Sequence, residues 1–308
     1  MVILILFTML LFSVDSWAWA PATHLYFAKE VLHFGNLFLP SPLFQLLKAH
    51  TSDFLYGCIA ADITLGKKFI EWIYNCHNFD VGISLLDHTK NDAERAFVYG
   101  YLSHLAADTV SHNYFVPYQN LKHIDKHPFR HAYWEVRLDD YFGDRIWGEI
   151  ETVIKNPHNH SHDKLLDTAL KDTLFSFRTN KALFSSMMAI QRLKKWRQFV
   201  RKVNRLSSIQ FNESELNEYN LLAVSAIFRL LTDQKQSVVY KVDPTGSRAL
   251  SEAKKLRKDM KKLAKQKELS PSLHESQYLE FRDSIKNFYF KDYPIQDKNF
   301  KPHIHLEL

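Results

Sequence analysis

In the segment Tyr101-Leu102-Ser103-His104-Leu105-Ala106-Ala107-Asp108-Thr109-Val110-Ser111-His112, two imidazoles and a carboxylate recur every four residues. On an α-helix that spacing sets them along one stripe. Leu, Ala and Val flank the stripe, and such groups are costly to bury among apolar neighbours unless they are hydrogen-bonded or metal-bound. The donor types suit zinc first, with manganese or iron behind.

A second pair, His131 and Glu135, repeats the four-residue spacing in His131-Ala132-Tyr133-Trp134-Glu135-Val136-Arg137, so a neighbouring helix offers another nitrogen and another carboxylate. Upstream, Gly57-Cys58-Ile59-Ala60-Ala61-Asp62 ends an apolar helical turn on a carboxylate, and Asn75-Cys76-His77-Asn78 puts an imidazole in the next polar break. Taken singly, a histidine is more often a satisfied core or surface residue, Asp62 a helix cap and His77 a loop residue. The concentration reverses that ranking: the five positions from His104 to Glu135 fall within 32 residues. A hydrogen-bonded buried polar network is the alternative to metal binding. His158, His160 and His162 lie in the polar segment Asn156 to Asp163, read as an exposed loop, where no fixed carboxylate partner makes a catalytic site.

The amino terminus bears on the same chemistry. The apolar run MVILILFTMLLFSVDSWA leads to Ser16-Trp17-Ala18, small residues at the two positions a signal peptidase inspects. Residues 1–18 are therefore expected to be a signal peptide, and cleavage after Ala18 would leave Trp19 first. The stretch Val2 to Val14 is short for spanning a bilayer, so export with cleavage is preferred to a membrane anchor. His24 stands five residues after Trp19. In the processed chain the α-amino group and carbonyl of Trp19 could chelate one metal together with His24.

The elements that position these residues read as helices. With 46% hydrophobic residues in 308, the chain can bury a large core without disulfides, although Cys58 and Cys76 could pair in an oxidising compartment. Only 8 glycines and 10 prolines and few alternating β-branched runs favour an all-α fold. Helices are expected over Ala22 to Phe34, with a break at Phe34-Gly35-Asn36, then over Pro42 to His50, Ser52 to Ile63 and Asp92 to Tyr114, with Pro117 as a stop. Further helices are expected over Phe129 to Trp147, Leu165 to Arg205, Ser214 to Thr232 and Ala249 to Glu268, and the tail from Tyr293 reads as irregular. The division expected is a metal-binding catalytic core over 19–150 and a helical extension packed on it over 151–308, with a basic helix near 249–268. There is no internal repeat and no low-complexity tract. Removing the leader, whose one charge is Asp15, takes the net charge from +6 to +7. That surface favours anionic partners, lipid headgroups and nucleic acids alike, and the Lys-rich helix reads as a solvated face before a membrane-binding one.

Together these residues resemble the zinc-dependent phospholipase C family, whose members begin at a Trp and hold a three-zinc cluster on an all-helical, single-domain scaffold. Nine positions match its ligand set. By resemblance, Trp19 and His24 hold one zinc, Asp62, His77 and His104 a second, Asp108 bridges those two, and His112, His131 and Glu135 hold the third. The bacterial phospholipases place more residues between the terminal Trp and the next His, and two more between the helix Asp and its following His. The short Trp19-to-His24 gap instead looks like the related single-strand-specific nucleases, which share the fold and the trizinc site.

A phosphodiester repels hydroxide by its own charge, so the cluster implied by resemblance makes hydroxide at neutral pH and neutralises the phosphoryl oxygens. Asp62 would serve both as ligand and as the carboxylate that orients or deprotonates the attacking water. The function so implied is a secreted or periplasmic zinc phosphodiester hydrolase, a phospholipase C cleaving the glycerol–phosphate bond at a membrane surface, with no obligate protein partner. Phe34, Phe38, Leu39, Phe44, Phe115 and Tyr118 could grip acyl chains or be ordinary core. The alternatives are a nuclease, with Tyr114, Tyr133 or Trp134 stacking bases, and a non-catalytic metal-binding protein of the membrane surface.

Overall fold

A computed structural model describes residues 21–63, 77–124, 130–169, 211–297, 299–300 and 302, with isolated positions between 179 and 209; the side chains of residues 130–132, 136, 143–144 and 169 are not described. The described residues form an all-α fold with no strand. In chain order the helices are α1 (Pro21–Phe38), α2 (Ser41–Ala49), α3 (Thr51–Ala60), α4 (Phe79–Asp87), α5 (Asp92–Val110), α6 (Val116–Lys122), α7 (Arg130–Asp139), α8 (Gly143–Ile154), α9 (Asn159–Ala169), α10 (Glu213–Asp233), α11 (Ser247–Lys265) and α12 (Pro271–Ile285).

The bundle is organised around α5. From Ala96 to Val110 every residue of this helix is buried, as expected of a helix that is apolar on all sides. It packs against α3 and α10, with α1 and α4 beside it. Asn91 caps its start by accepting from the backbone N–H of Glu94 at 2.9 Å. The contact with α10 ties the second half of the chain to the element that carries His104 and Asp108.

Several boundaries differ from those the sequence suggests. α1 does not break at Phe34-Gly35-Asn36 but runs to Phe38, because Phe34 and Phe38 pack on Phe228 and Phe300 and tertiary packing overrides turn propensity. Pro40, which cannot continue a helix, follows. The segment expected as one helix to Tyr114 is α-helical only to Val110; Ser111–Phe115 forms a π turn, an element frequent at functional sites. Pro117 is not a stop: it directly follows the π turn, and the helical backbone continues through it to Lys122. The helix expected over Phe129 to Trp147 is two, α7 and α8, joined by a 3₁₀ turn at Asp140–Phe142.

The polar segment Asn156 to Asp163 is not an exposed loop throughout. His158 and His160 are exposed, but Asn159 opens α9 and is buried, as is His162. The His162 Nε2 lies 2.7 Å from Asp53 Oδ1, and its ring stacks on Phe97 at 4.6 Å between centroids. Most of Leu165 to Arg205, residues 303–308 of the tail, residues 1–20 with Trp19, and Cys76 lie outside the described residues; Cys58 is buried as a free thiol.

Candidate metal centre

The site begins at the crossing of α3 and α5, which is closer than side chains would allow. A Cβ on Gly57 would lie 1.9 Å from the Phe97 carbonyl oxygen, and one on Gly100 would lie 2.1 Å from that of Phe54. Only glycines permit this approach. One turn beyond, the His104 Nδ1 meets the Cys58 carbonyl oxygen at 2.9 Å. A carbonyl accepts only, so Nδ1 carries the proton and Nε2 presents its lone pair to the interior. Fixing the tautomer through the other ring nitrogen is how metal-binding histidines are commonly oriented.

Four separate segments converge on that lone pair. His24 comes from the second turn of α1, Asp62 from the 3₁₀ turn Ala61–Ile63 that follows α3, His77 from the turn before α4, and His104 with Asp108 from α5. All five are at most 2% exposed. The Asp108 Oδ2 lies 2.9 Å from the His77 Nε2 and 3.2 Å from that of His104, while Oδ1 lies 3.3 Å from the His24 Nε2. Asp62 Oδ1 stands 3.6 Å from the His77 Nε2 and 3.7 Å from that of His104. The donor atoms fall into two overlapping groups, His24 with Asp62 and His104, and His77 with His104 and Asp108, each within 4.8 Å.

The electrostatics of this cluster are those of a cation site. Burial, then the charge of His104, lowers the His24 pKa to about 4 against the pull of Asp108. Burial alone would raise Asp108, but the facing imidazoles of His104, His24 and His77 outweigh it and hold the carboxyl well below its usual range. The two shifts pull apart if the pair is read as a salt bridge, since a lowered histidine is neutral. They agree for an ionised Asp108 beside a neutral His24, the forms in which a carboxylate and an imidazole bind metal. The rings of His24 and His104 stack at 3.8 Å, which two cations would resist. Both Asp108 oxygens are buried near these nitrogens without hydrogen-bond geometry to any, so the residues fit a divalent metal with nitrogen and oxygen ligands.

The remaining candidates are placed less completely. His112 is buried in the π turn, its Nδ1 2.5 Å from the Pro244 carbonyl oxygen, the same arrangement that orients His104. Gly246, at a φ of 60°, packs so close to the His112 carbonyl that a Cβ would lie 2.4 Å from its oxygen. Glu135 is buried on α7. His131 is on the same helix but its side chain, like Trp19, is outside the described residues. Sequence reasoning missed the carbonyls of Cys58 and Pro244, which have no residue identity to read.

The residues offered for gripping substrate are mostly core. Leu39, Phe44, Phe115, Tyr118, Tyr114 and Trp134 are buried, Phe34 and Phe38 pack against the core, and half-buried Tyr133 lies against Trp134 and Arg137.

No curated protein and no solved structure matches the chain. The family model described as zinc-dependent phospholipase C matches residues 23–184, just over half of the 308. The matched span takes in His24, Asp62, His77, His104, Asp108, His112, His131 and Glu135. The chain belongs to the zinc-dependent phospholipase C family, whose members are phosphodiester hydrolases.

Proposed function

We propose that the processed chain is an exported phospholipase C that cleaves the glycerol–phosphate bond of phospholipids at a membrane surface. The observation that carries this is the buried Asp108 carboxylate within 3.3 Å of three imidazole nitrogens from three segments. In this reading His24 and the Trp19 terminus would hold one zinc, Asp62, His77 and His104 a second, and His112, His131 and Glu135 a third, with Asp108 a ligand beside the first two groups. Zinc so held would supply a water acidified toward neutral pH and positive charge against the phosphoryl oxygens.

The chain's own groups do the positioning and the proton transfer. Asp62, 1% exposed and facing two imidazoles, orients the attacking water and takes its proton. The Cys58 and Pro244 carbonyls keep His104 and His112 in one tautomer. The nuclease reading loses support, because Tyr114 and Trp134, two of its three candidates for stacking bases, are core and the third, Tyr133, is half-buried. The same is true of the aromatics offered to acyl chains, so the preference for lipid rests on the family's substrate class.

Export follows from the leader and from the need for a free amino group at Trp19. Among the described residues no helix is long and apolar enough to cross a membrane. The test is to supply protein beginning at Trp19 with zinc and to follow phosphocholine release from phosphatidylcholine vesicles beside nucleotide release from single-stranded DNA. Phosphocholine alone is the expected product; nucleotides alone would assign the chain to the nuclease branch.

A further inference from the structure

Asp139 ends α7, four residues after Glu135 and eight after His131. It is 2% exposed. Its carboxylate bonds to the start of α1. Oδ2 accepts from the Ala22 backbone N–H at 3.0 Å, and Oδ1 accepts from the Thr23 N–H at 3.0 Å and the Thr23 hydroxyl at 2.6 Å.

These contacts answer a deficit written into the first turn of α1. The opening N–H groups of a helix have no partner within it. Pro21 has no N–H to satisfy, which leaves Ala22 and Thr23 as the next orphan donors. α1 has no acidic residue in its first turn, and the preceding Ala20 has no side-chain acceptor. The cap comes instead from a residue 117 positions away in the chain.

The cap sits between two groups of candidate ligands. Ala22 is two residues before His24 and three after Trp19, while α7 is the helix of His131 and Glu135. We infer that Asp139 is a positioning residue for the metal centre: it locks the first turn of α1, and with it His24, onto the helix that carries His131 and Glu135. The inference rests on the zinc reading given above. Asp139 acts through Ala22 and Thr23, so it sets how well the amino-terminal zinc is held and leaves the chemistry of the other ligands alone.

The experiment compares Asp139→Ala, Asp139→Asn and Thr23→Val with the parent, all beginning at Trp19. Two quantities are read well below each melting temperature: zinc number and affinity by chelator competition, and amide hydrogen exchange of the metal-free proteins. Asp139→Ala is expected to weaken one zinc by about tenfold or more and to expose the Ala22 and Thr23 amides, with the α5 amides protected as before. Asp139→Asn, which keeps one acceptor, should fall between. Thr23→Val loses the hydroxyl bond alone and should weaken the same zinc by a smaller factor.

A cap that only stabilised the fold would lower the melting temperature of Asp139→Ala while leaving zinc number and affinity at parental values. That result would overturn the inference with the zinc cluster intact. If Asp139→Ala does not fold, Thr23→Val decides, and parental zinc affinity in it is equally fatal. A parent that binds no zinc would remove the reading on which the inference stands.

Discussion

Gly57 and Gly100 meet backbone to backbone where α3 crosses α5: a Cβ on Gly100 would lie 3.0 Å from the Gly57 Cα and 2.1 Å from the Phe54 carbonyl oxygen. This contact brings the Cys58 carbonyl within 2.9 Å of the His104 Nδ1. The metal centre therefore depends on two residues with no side chain.

Replacing either glycine by alanine should force the helices apart. The obstacle is backbone, which cannot swing aside, so each substitution is expected to cost about 3 kcal/mol or more, the upper end of overpacking penalties. Gly148 provides the opposite sign. Nothing lies within 4 Å of a Cβ placed there, it is exposed in the middle of α8, and Gly148→Ala should stabilise by roughly 0.5–1 kcal/mol. Urea unfolding of the three variants checks both signs.

His160 and His162 stand two residues apart and should behave differently. His160 is exposed, and His160→Ala should change stability by less than about 0.5 kcal/mol. His162 is buried against Phe97 and bonded to Asp53, so His162→Ala should cost about 2–3 kcal/mol through the lost packing and the lost hydrogen bond. Neither should alter zinc content, which elemental analysis would show.

The metal-free protein should lose stability as the pH falls through the histidine range. His24 has a folded pKa of about 4 against an ordinary 6.5, so between these values the unfolded chain binds the extra proton. Its contribution is complete above 6.5, declines as the pH falls, and amounts to about 3 kcal/mol over the window. Asp139 has the opposite sign. Burial raises it to about 7, against the bonds from Thr23 and Ala22, so its contribution is present below the ordinary carboxyl value and lost as the pH rises through 7. Urea melts of parent and His24→Gln from pH 4 to 7 isolate the first effect as a narrowing stability gap at low pH.

How much of this was legible in the sequence depended on what kind of regularity carried it. His104 and Asp108 were found by the four-residue spacing, because a buried helix keeps its period. Asp62 and His77 emerged from the order of residue types, as each lies at the end of an element. Asp139 was not read as the cap of α1, since caps are sought beside the helix and this one is 117 residues from its donor. His162 was misread because its neighbours are polar; Phe97 and Asp53, far away in sequence, bury it. Pro117 does not end the helix because the π turn at Ser111–Phe115, which nothing in the sequence announces, carries the helical backbone past it to Lys122.

Chelation should destabilise the protein reversibly. Metal bound to the native state alone stabilises it by about 2.7 kcal/mol at a free concentration one hundred times its dissociation constant. Thermal melts with and without a chelator should therefore differ by several degrees and converge when zinc is restored. Because the ligands in the first half lie on four segments, loss of metal should loosen α1 before it loosens α5.

The central claim is that one buried carboxylate organises the metal centre, and elemental analysis of the folded, processed protein beside its Asp108→Ala variant tests it most directly. About three zinc ions per parent chain are expected, with the variant, folded by circular dichroism, reduced to about one and inactive on phosphatidylcholine. Full zinc content in Asp108→Ala, or none in the parent, would contradict the account.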